Sequence, residues 1–470
     1  MQDTNGKALK SGIWYTIANF IVRSMSFITT PIFARLLTQE DFGQYNNFAP
    51  WLATMTVIIT LNLEASFISA KFDFKEKFDE YIFSMLALSG FSGFVWLLVV
   101  NLFPNQLSQF TGVTPVYLNL LVMYLILLPA INLFQTRERF AYQYKSTVII
   151  SLLVAVSTTA LSVALVIFGN DKLFGRIYGS LAPVVVIGAV LFIFLWKKGK
   201  RIRFKYWAYA LPICIPFIPH LLSLNLLNSM DRIMITKMCG AEDNALYSLA
   251  YNCGAIVTIL ATSMNSAFAP WLGNKLNENS FDEIKSVATK YVYLFFGLAI
   301  GIMLVSPEIL WIMGDDGYME AAYVMPPVAF GCLCQFLYTM YVNVEQFKKK
   351  TIGMAFASVS AALLNYILNS IFIPQYGYIV AAYTTLVSYL WLLIVHMLLV
   401  KHLGFSHIYP LKHILIILGS MSIITILVNL LYQYPIVRYS IFVIYVVIIG
   451  TILWKNKNEI MAFFARRKHV

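Results

Sequence analysis

Residues 13–36, IWYTIANFIVRSMSFITTPIFARL, form an apolar run with an arginine near its middle. At 1.5 Å per residue a helix of this length crosses the ~30 Å hydrocarbon layer of a bilayer. Arg23 stands ten residues past Ile13, about 15 Å into that layer, where a lone arginine costs about 2.5 kcal/mol on insertion scales. Asn19, Arg23, Ser26 and Thr30 are spaced 4, 3 and 4 apart and share one helix face, while Ile17, Ile21 and Ile28 point elsewhere. A polar stripe with a cation at mid-depth fits a wet cavity. The alternative is a guanidinium that snorkels, or pairs with an acid on the next helix.

The rest of the chain shares this character. Of 470 residues, 59% are hydrophobic and 12% charged, and the mean hydropathy is +0.73. A soluble domain is roughly half apolar and a quarter charged, so these values describe an integral membrane protein. The net charge of +12 does not point to nucleic acid, because the cations sit between apolar runs, where topology accounts for them. Cys214, Cys239, Cys253, Cys332 and Cys334 lack metal or redox spacing and read as small core residues. The first apolar run is too long for a signal-peptide core and is expected to stay as an uncleaved span.

Runs of about 20 apolar residues predict about fourteen spans. They lie near 13–36, 45–69, 81–103, 116–135, 146–168, 174–196, 209–230, 246–271, 288–313, 322–345, 352–373, 377–400, 411–432 and 437–454. With a cytoplasmic N-terminus, 27 of the 34 Lys and Arg fall on the inside, which places both termini in the cytoplasm. Arg35, Lys172, Arg176, Arg232, Lys237 and Arg438 are left outside.

The chain repeats at an offset of 202. Arg35 and Lys237, Glu40 and Glu242, Asp41 and Asp243, Tyr45 and Tyr247, and Gly175 and Gly377 correspond. Thr56, Thr60 and Glu64 recur as Thr258, Thr262 and Ser266. Two six-helix lobes follow, related by an axis along the membrane normal. The expected division is 1–200 (helices 1–6, with the cationic cavity face), 201–405 (helices 7–12), and 406–470 (helices 13–14 with a basic cytoplasmic tail).

Thr56, Thr60 and Glu64 would form a polar strip down the second span. Glu64 reads either as the counter-ion of Arg23 or as a protonatable gate. Arg35 extends a cationic track or snorkels at the interface. Asn225, Asn228 and Arg232 share a face, with Asp231–Arg232 as an adjacent charge pair. Pro212, Pro216 and Pro219 break the seventh span, making it a hinge or a static kink. His220 and His396 read as packed histidines. The sequence has no Walker A, GxGxxG or His/Cys metal cluster, so no enzyme chemistry and no cofactor are expected, while a carboxyl at span depth such as Glu64 would suit proton coupling.

Four stretches carry a family resemblance: SGIWYTIANFIVRSMSFITTPIFARLLTQEDFGQYNNF (11–48), LLNSMDRIMITKMCGAEDNALYSLAYNCG (226–254), WIMGDDGYMEAAYVMPPVAFG (311–331) and FIPQYGYIVAAYTTLVSY (372–389). The chain resembles the polysaccharide (O-antigen or capsule) repeat-unit flippases, the Wzx-like branch of the MOP exporter superfamily. That resemblance implies an all-α, two-lobed, V-shaped transporter of the MOP/MATE type in the bacterial cytoplasmic membrane. It would move undecaprenyl-diphosphate-linked oligosaccharides by alternating access, as a monomer among membrane lipids, serving a polysaccharide polymerase and glycosyltransferases. Arg23 matches the cavity arginines that engage the diphosphate. A MATE-type drug or cation antiporter and a peptidoglycan lipid II flippase are the alternatives. Fourteen spans is the lipid II flippase number, whereas many polysaccharide flippases have twelve.

Overall fold

The computed structural model describes residues 21, 22, 25, 27–141, 143–348, 351–405 and 407–455. Asn19, Arg23 and Ser26 of the expected site lie outside the described residues, as does the side chain of His220. Within them the chain is a succession of helices joined by short turns. These are α1 (Phe27–Leu36), α2 (Gln39–Thr60), α3 (Phe67–Asp73), α4 (Phe78–Leu102), α5 (Pro104–Thr111) and α6 (Pro115–Phe140). There follow α7 (Tyr144–Phe168), α8 (Lys172–Gly199), α9 (Phe204–Cys214), α10 (Ile218–Met238), α11 (Ala241–Gly254), α12 (Val257–Asn277) and α13 (Phe281–Leu304). The series ends with α14 (Ser306–Met313), α15 (Met325–Phe347), α16 (Thr351–Tyr376), α17 (Val380–His402), α18 (Leu411–Leu431) and α19 (Pro435–Lys455). Among the described residues nine helices are long and apolar enough to cross a membrane, or eleven when each of two bent pairs counts as one span. The protein is an all-α integral membrane protein.

Two compact units divide the chain: residues up to Leu249 with Ser358–Ala381, and Ala250–Ala357 with Ala382 onward. In the first, α8 packs along α6 and α7. Lipid tails are as apolar as leucine, so helices in a membrane gain little from hiding apolar surface and associate through close van der Waals fit. The spacing Gly175–Gly179 on α8 provides that fit: a Cβ on Gly179 would stand 2.4 Å from Ser162 Cα on α7. A second close approach sets α2 against α11. There a Cβ on Gly43 would strike the Ala241 carbonyl oxygen at 1.7 Å, and Asn244 Nδ2 donates to Gly43 O at 2.9 Å. α2 and α11 begin at 39 and 241, the offset of 202 that the loop residues also show.

Four expected spans are interrupted, the 246–271 span at the 43° bend between α11 and α12. The 45–69 span is not one helix: α2 stops at Thr60, and Leu61 and Asn62 take left-handed conformations at φ 55° and 48°. A 3-10 turn, Leu63–Ser66, then leads into α3, so Glu64 does not continue the Thr56–Thr60 helix face. The 209–230 span is split into α9 and α10, bent by 45° around Ile215–Phe217. Pro216 removes a donor there, and Pro219 occupies the opening turn of α10, where a missing N–H costs little. The 288–313 span ends at Leu304; beyond Val305, α14 is eight residues long, about 12 Å and too short to cross a bilayer.

Candidate functional site

α8 opens with Asp171 as its N-cap, the carboxylate accepting from Phe174 N at 2.8 Å. One residue on, the Lys172 ammonium donates to Leu36 O at 2.9 Å and satisfies a carbonyl at the end of α1. One turn further along the same face lies Arg176. Its guanidinium carbon stands 3.7 Å from the centroid of the Phe33 ring and 4.1 Å from that of Tyr45. Contacts of this kind lie over the ring faces and leave the guanidinium edge, where the N–H groups point. The residue as a whole is half-buried, but its Nε is fully buried without an acceptor, and no described carboxylate bridges this arginine. A cation drawn out of water is ordinarily paired; this one is held by aromatic rings. Sequence alone places Arg176 among the outer charges, and only its position inside an apolar helix hints otherwise.

Thr30 and Arg35 of the expected site lie on α1, Thr30 half-buried and Arg35 exposed. Thr60 is half-buried at the last turn of α2. Glu64, on its 3-10 turn, faces α6: Thr136 Oγ1 donates to its carboxylate at 3.5 Å, Asn132 also hydrogen-bonds to it, and Arg139 supplies the nearby positive charge. The structure therefore gives Glu64 described partners on α6. The same helix holds a fork, with Arg137 Nε on Asp79 Oδ1 at 2.8 Å and Nη1 on Glu138 Oε1 at 2.6 Å. Arg137 is committed to carboxylates where Arg176 is not. In the linker between α8 and α9, the hydrogen bond from Arg203 to Glu80 (2.8 Å) holds the Arg203 guanidinium protonated even more firmly than usual.

α10 packs along α2 and carries Asn225, Asn228 and Arg232. Asn225 and Arg232 are half-buried; Asn228 is exposed, and its amide donates back to Leu224 O at 2.8 Å. Asp231 is buried and accepts hydrogen bonds from Tyr247 Oη at 2.6 Å and Asn369 Nδ2 at 2.7 Å, with Asn369 also donating to Asn365 at 3.1 Å. Reading Asp231–Arg232 as an adjacent pair thus misses two partners, 16 and 138 residues away, that anchor this carboxylate.

The second unit holds buried charges in pairs. Arg438 on α19 forks onto Glu308 on α14, with Nη1 on Oε2 at 2.6 Å and Nη2 on Oε1, and Nη1 also reaches Leu304 O at 2.7 Å. His396 Nδ1 lies 2.7 Å from Glu345 Oε1, both side chains being at most 2% exposed. These pairs bring together residues that the sequence places in separate spans and loops.

Comparison with known proteins agrees with this architecture. The family described as "Polysaccharide biosynthesis protein" matches residues 8–276, and the MatE family matches 216–371. The "Lsg locus putative protein 1" of Haemophilus influenzae is 22% identical over 324 residues, covering 66% of this chain and 78% of its own. Among solved structures, the lipid II flippase MurJ in an inward closed conformation has a TM-score of 0.70 at 14% identity, covering 94% of this chain and 99% of that one. An inward-facing multidrug resistance MATE family transporter of the MOP superfamily has a TM-score of 0.62 at 14% identity, covering 82% and 95%. At such identities the structural likeness is one of fold.

Proposed function

Because the chain belongs to the polysaccharide biosynthesis protein family, we propose that this MOP-fold transporter flips undecaprenyl-diphosphate-linked oligosaccharide repeat units across the bacterial cytoplasmic membrane. The observation that carries the choice of cargo is Arg176, a guanidinium gripped by Phe33 and Tyr45 with no described carboxylate bridging it. A planar, permanently charged fork of this kind suits a diphosphate, whose oxygens accept paired N–H bonds. Arg23, Asn19, Ser26, Thr30 and Arg35 line the approach in this reading, with Thr60, Asn225, Asn228 and Arg232 on neighbouring helices.

Alternating access between two lobes, with the Pro216–Pro219 bend as hinge, carries the head group past the membrane interior. An H+ or Na+ gradient drives the cycle, and both termini face the cytoplasm. The cargo passes to a polysaccharide polymerase after glycosyltransferases have built it. A cation antiporter of the MATE type would need carboxylates open to cargo; Asp231 accepts from Tyr247 and Asn369, and this disfavours that reading. A lipid II flippase shares the fold and the anionic cargo class, so glycan identity separates the two.

The test is surface glycan in a strain lacking the chromosomal copy, with membrane protein levels matched by immunoblot. Arg23→Ala should abolish export and Arg176→Gln should lower it by at least about tenfold, the loss of one charge-assisted contact. Full export by both variants at normal protein level overturns the proposal.

A further inference from the structure

Glu345 and His396 form a buried acid–base pair that the transport reading does not use. We propose that this pair is a proton-binding site of the second unit, loaded and unloaded as the chain beyond α17 covers and uncovers it. His396 Nδ1 and Glu345 Oε1 are 2.7 Å apart, and the side chains are 2% and 1% exposed. Tyr338 stacks on the imidazole at 5.6 Å and an interplanar angle of 16°. The second carboxylate oxygen, Glu345 Oε2, is buried with no hydrogen-bond partner among the described residues.

That orphan oxygen is where a further proton goes. With Nε2 carrying its own proton and one more in the Nδ1···Oε1 contact the pair is neutral overall, which a dry site tolerates. A second proton taken from water forms an O–H bond at Oε2 and leaves GluH beside HisH+, a net positive charge that the same dry surroundings oppose. Proton uptake and entry of water are therefore tied together. Ionisable side chains inside membrane segments are rare and costly, so a pair kept there calls for a use.

The cover is visible on either side of Glu345. Tyr409 Oη donates to Met340 O at 2.8 Å and its ring lies 4.9 Å from Tyr341, before Glu345; the Lys348 ammonium lies 4.5 Å from the Phe405 ring, after it. Ile408 and Tyr409 are buried. Glu345 is two residues from the end of α15, about 3 Å along the axis, so the way out is short once the cover lifts. Other ionisable groups on the surrounding elements are exposed or engaged. Asp282, Lys285 and Lys290 on α13, Asp316 and Glu320 in the 3-10 segment ahead of α15, Lys401 and His402 on α17, His407 beyond it, and Lys412 on α18 are exposed. Lys275 on α12 bridges Glu278 and Glu283, and His413 hydrogen-bonds Tyr293. Tyr338, Tyr341, Tyr389 and Tyr409 are the phenols nearby.

The experiment is infrared difference spectroscopy with hydrogen exchange on the full chain in lipid nanodiscs, with acid as the probe. Acidification should produce a protonated-carboxyl band that Glu345→Gln loses and Glu64→Gln retains. The Phe405 and Ile408 amides, bonded to Val400 O and Phe405 O, should exchange several-fold faster in wild type than in Glu345→Gln at the same acid pH, where intrinsic rates cancel. Retention of the band in Glu345→Gln, equal exchange in the two proteins, or the same response to sodium at constant pH would each overturn the proposal. Should Glu345→Gln fail to fold, His396→Gln is the second variant: the acid-induced carboxyl band must shift when the imidazole beside it is removed, and a band unchanged from wild type overturns the site. The coupling of this site to export rests on the proposed function, but proton uptake is read without any cargo and stands or falls alone.

Discussion

Arg438 of the second unit and Arg176 of the first are held in opposite ways. In the second, Arg438 is forked onto Glu308, as His396 is set on Glu345; in the first, Arg176 is packed between Phe33 and Tyr45 with no described carboxylate bridging it. Removing one partner of a buried pair leaves an uncompensated charge and costs stability. Removing a cation that no anion balances takes away a desolvation cost together with a cation–π contact, and the two offset. The difference separates arginines paired with a carboxylate of their own chain from one held by rings, with no described carboxylate on it.

The sharpest way to break that distinction is Arg176. Arg176→Gln should lose export by at least about tenfold, the equivalent of a single ~1.4 kcal/mol charge-assisted contact, while its unfolding temperature in detergent stays close to wild type. Arg176→Lys, which keeps the charge and loses the planar fork, should fall between. A strongly destabilised Arg176→Gln would make this arginine a packing residue and erase the contrast.

The second unit answers the other half of the comparison. Glu308→Ala leaves Arg438, itself 4% exposed in its side chain, without its carboxylate and should cost about 2–3 kcal/mol, below the full value for a dry pair because Glu308 is 33% exposed. The double variant Glu308→Leu/Arg438→Leu should recover most of that loss, since no charge is then stranded. Thermal unfolding of the three proteins in one detergent checks it, and a double variant as unstable as the single would show that the fork contributes more than charge compensation.

Asp231 gives a smaller effect of the same kind. Asp231→Asn replaces an acceptor by an amide N–H that meets the donors of Tyr247 or Asn369, and a mismatched buried donor costs about 1–3 kcal/mol. The same thermal measurement reads it; no change would mean that Asn369 turns its amide over to compensate.

What the sequence discloses follows from the range of the forces involved. Apolar length, the bias of Lys and Arg and the offset of 202 are local or periodic signals, and the helix starts at 39 and 241 reproduce the offset. The break after Thr60 is hidden because Leu61 and Asn62 sit in a run whose composition is that of a helix; only an asparagine, tolerant of positive φ, marks it. Arg176 looks like an interfacial cation because its rings come from α1 and α2, over 130 residues earlier. Glu345 and His396 are 51 apart, and Glu308 and Arg438 are 130 apart. Pairs at such separations have no signature until the helices are packed, so in the sequence His396 is an ordinary packed histidine.

Glu64 is the finest probe of the contrast, because its surroundings lie between the two extremes. Its carboxylate is half-buried and receives Thr136 and Asn132 from α6 with Arg139 nearby, so it has partners but no fork. Glu64→Gln keeps the shape and the Thr136 hydrogen bond and removes the charge, and stability should change by less than about 1 kcal/mol. If Glu64 is a protonation site, export by this variant should lose part of its dependence on external pH or sodium while its maximal level falls little. An unchanged dependence assigns Glu64 to the frame of the α2–α6 junction, alongside Arg137 and Asp79.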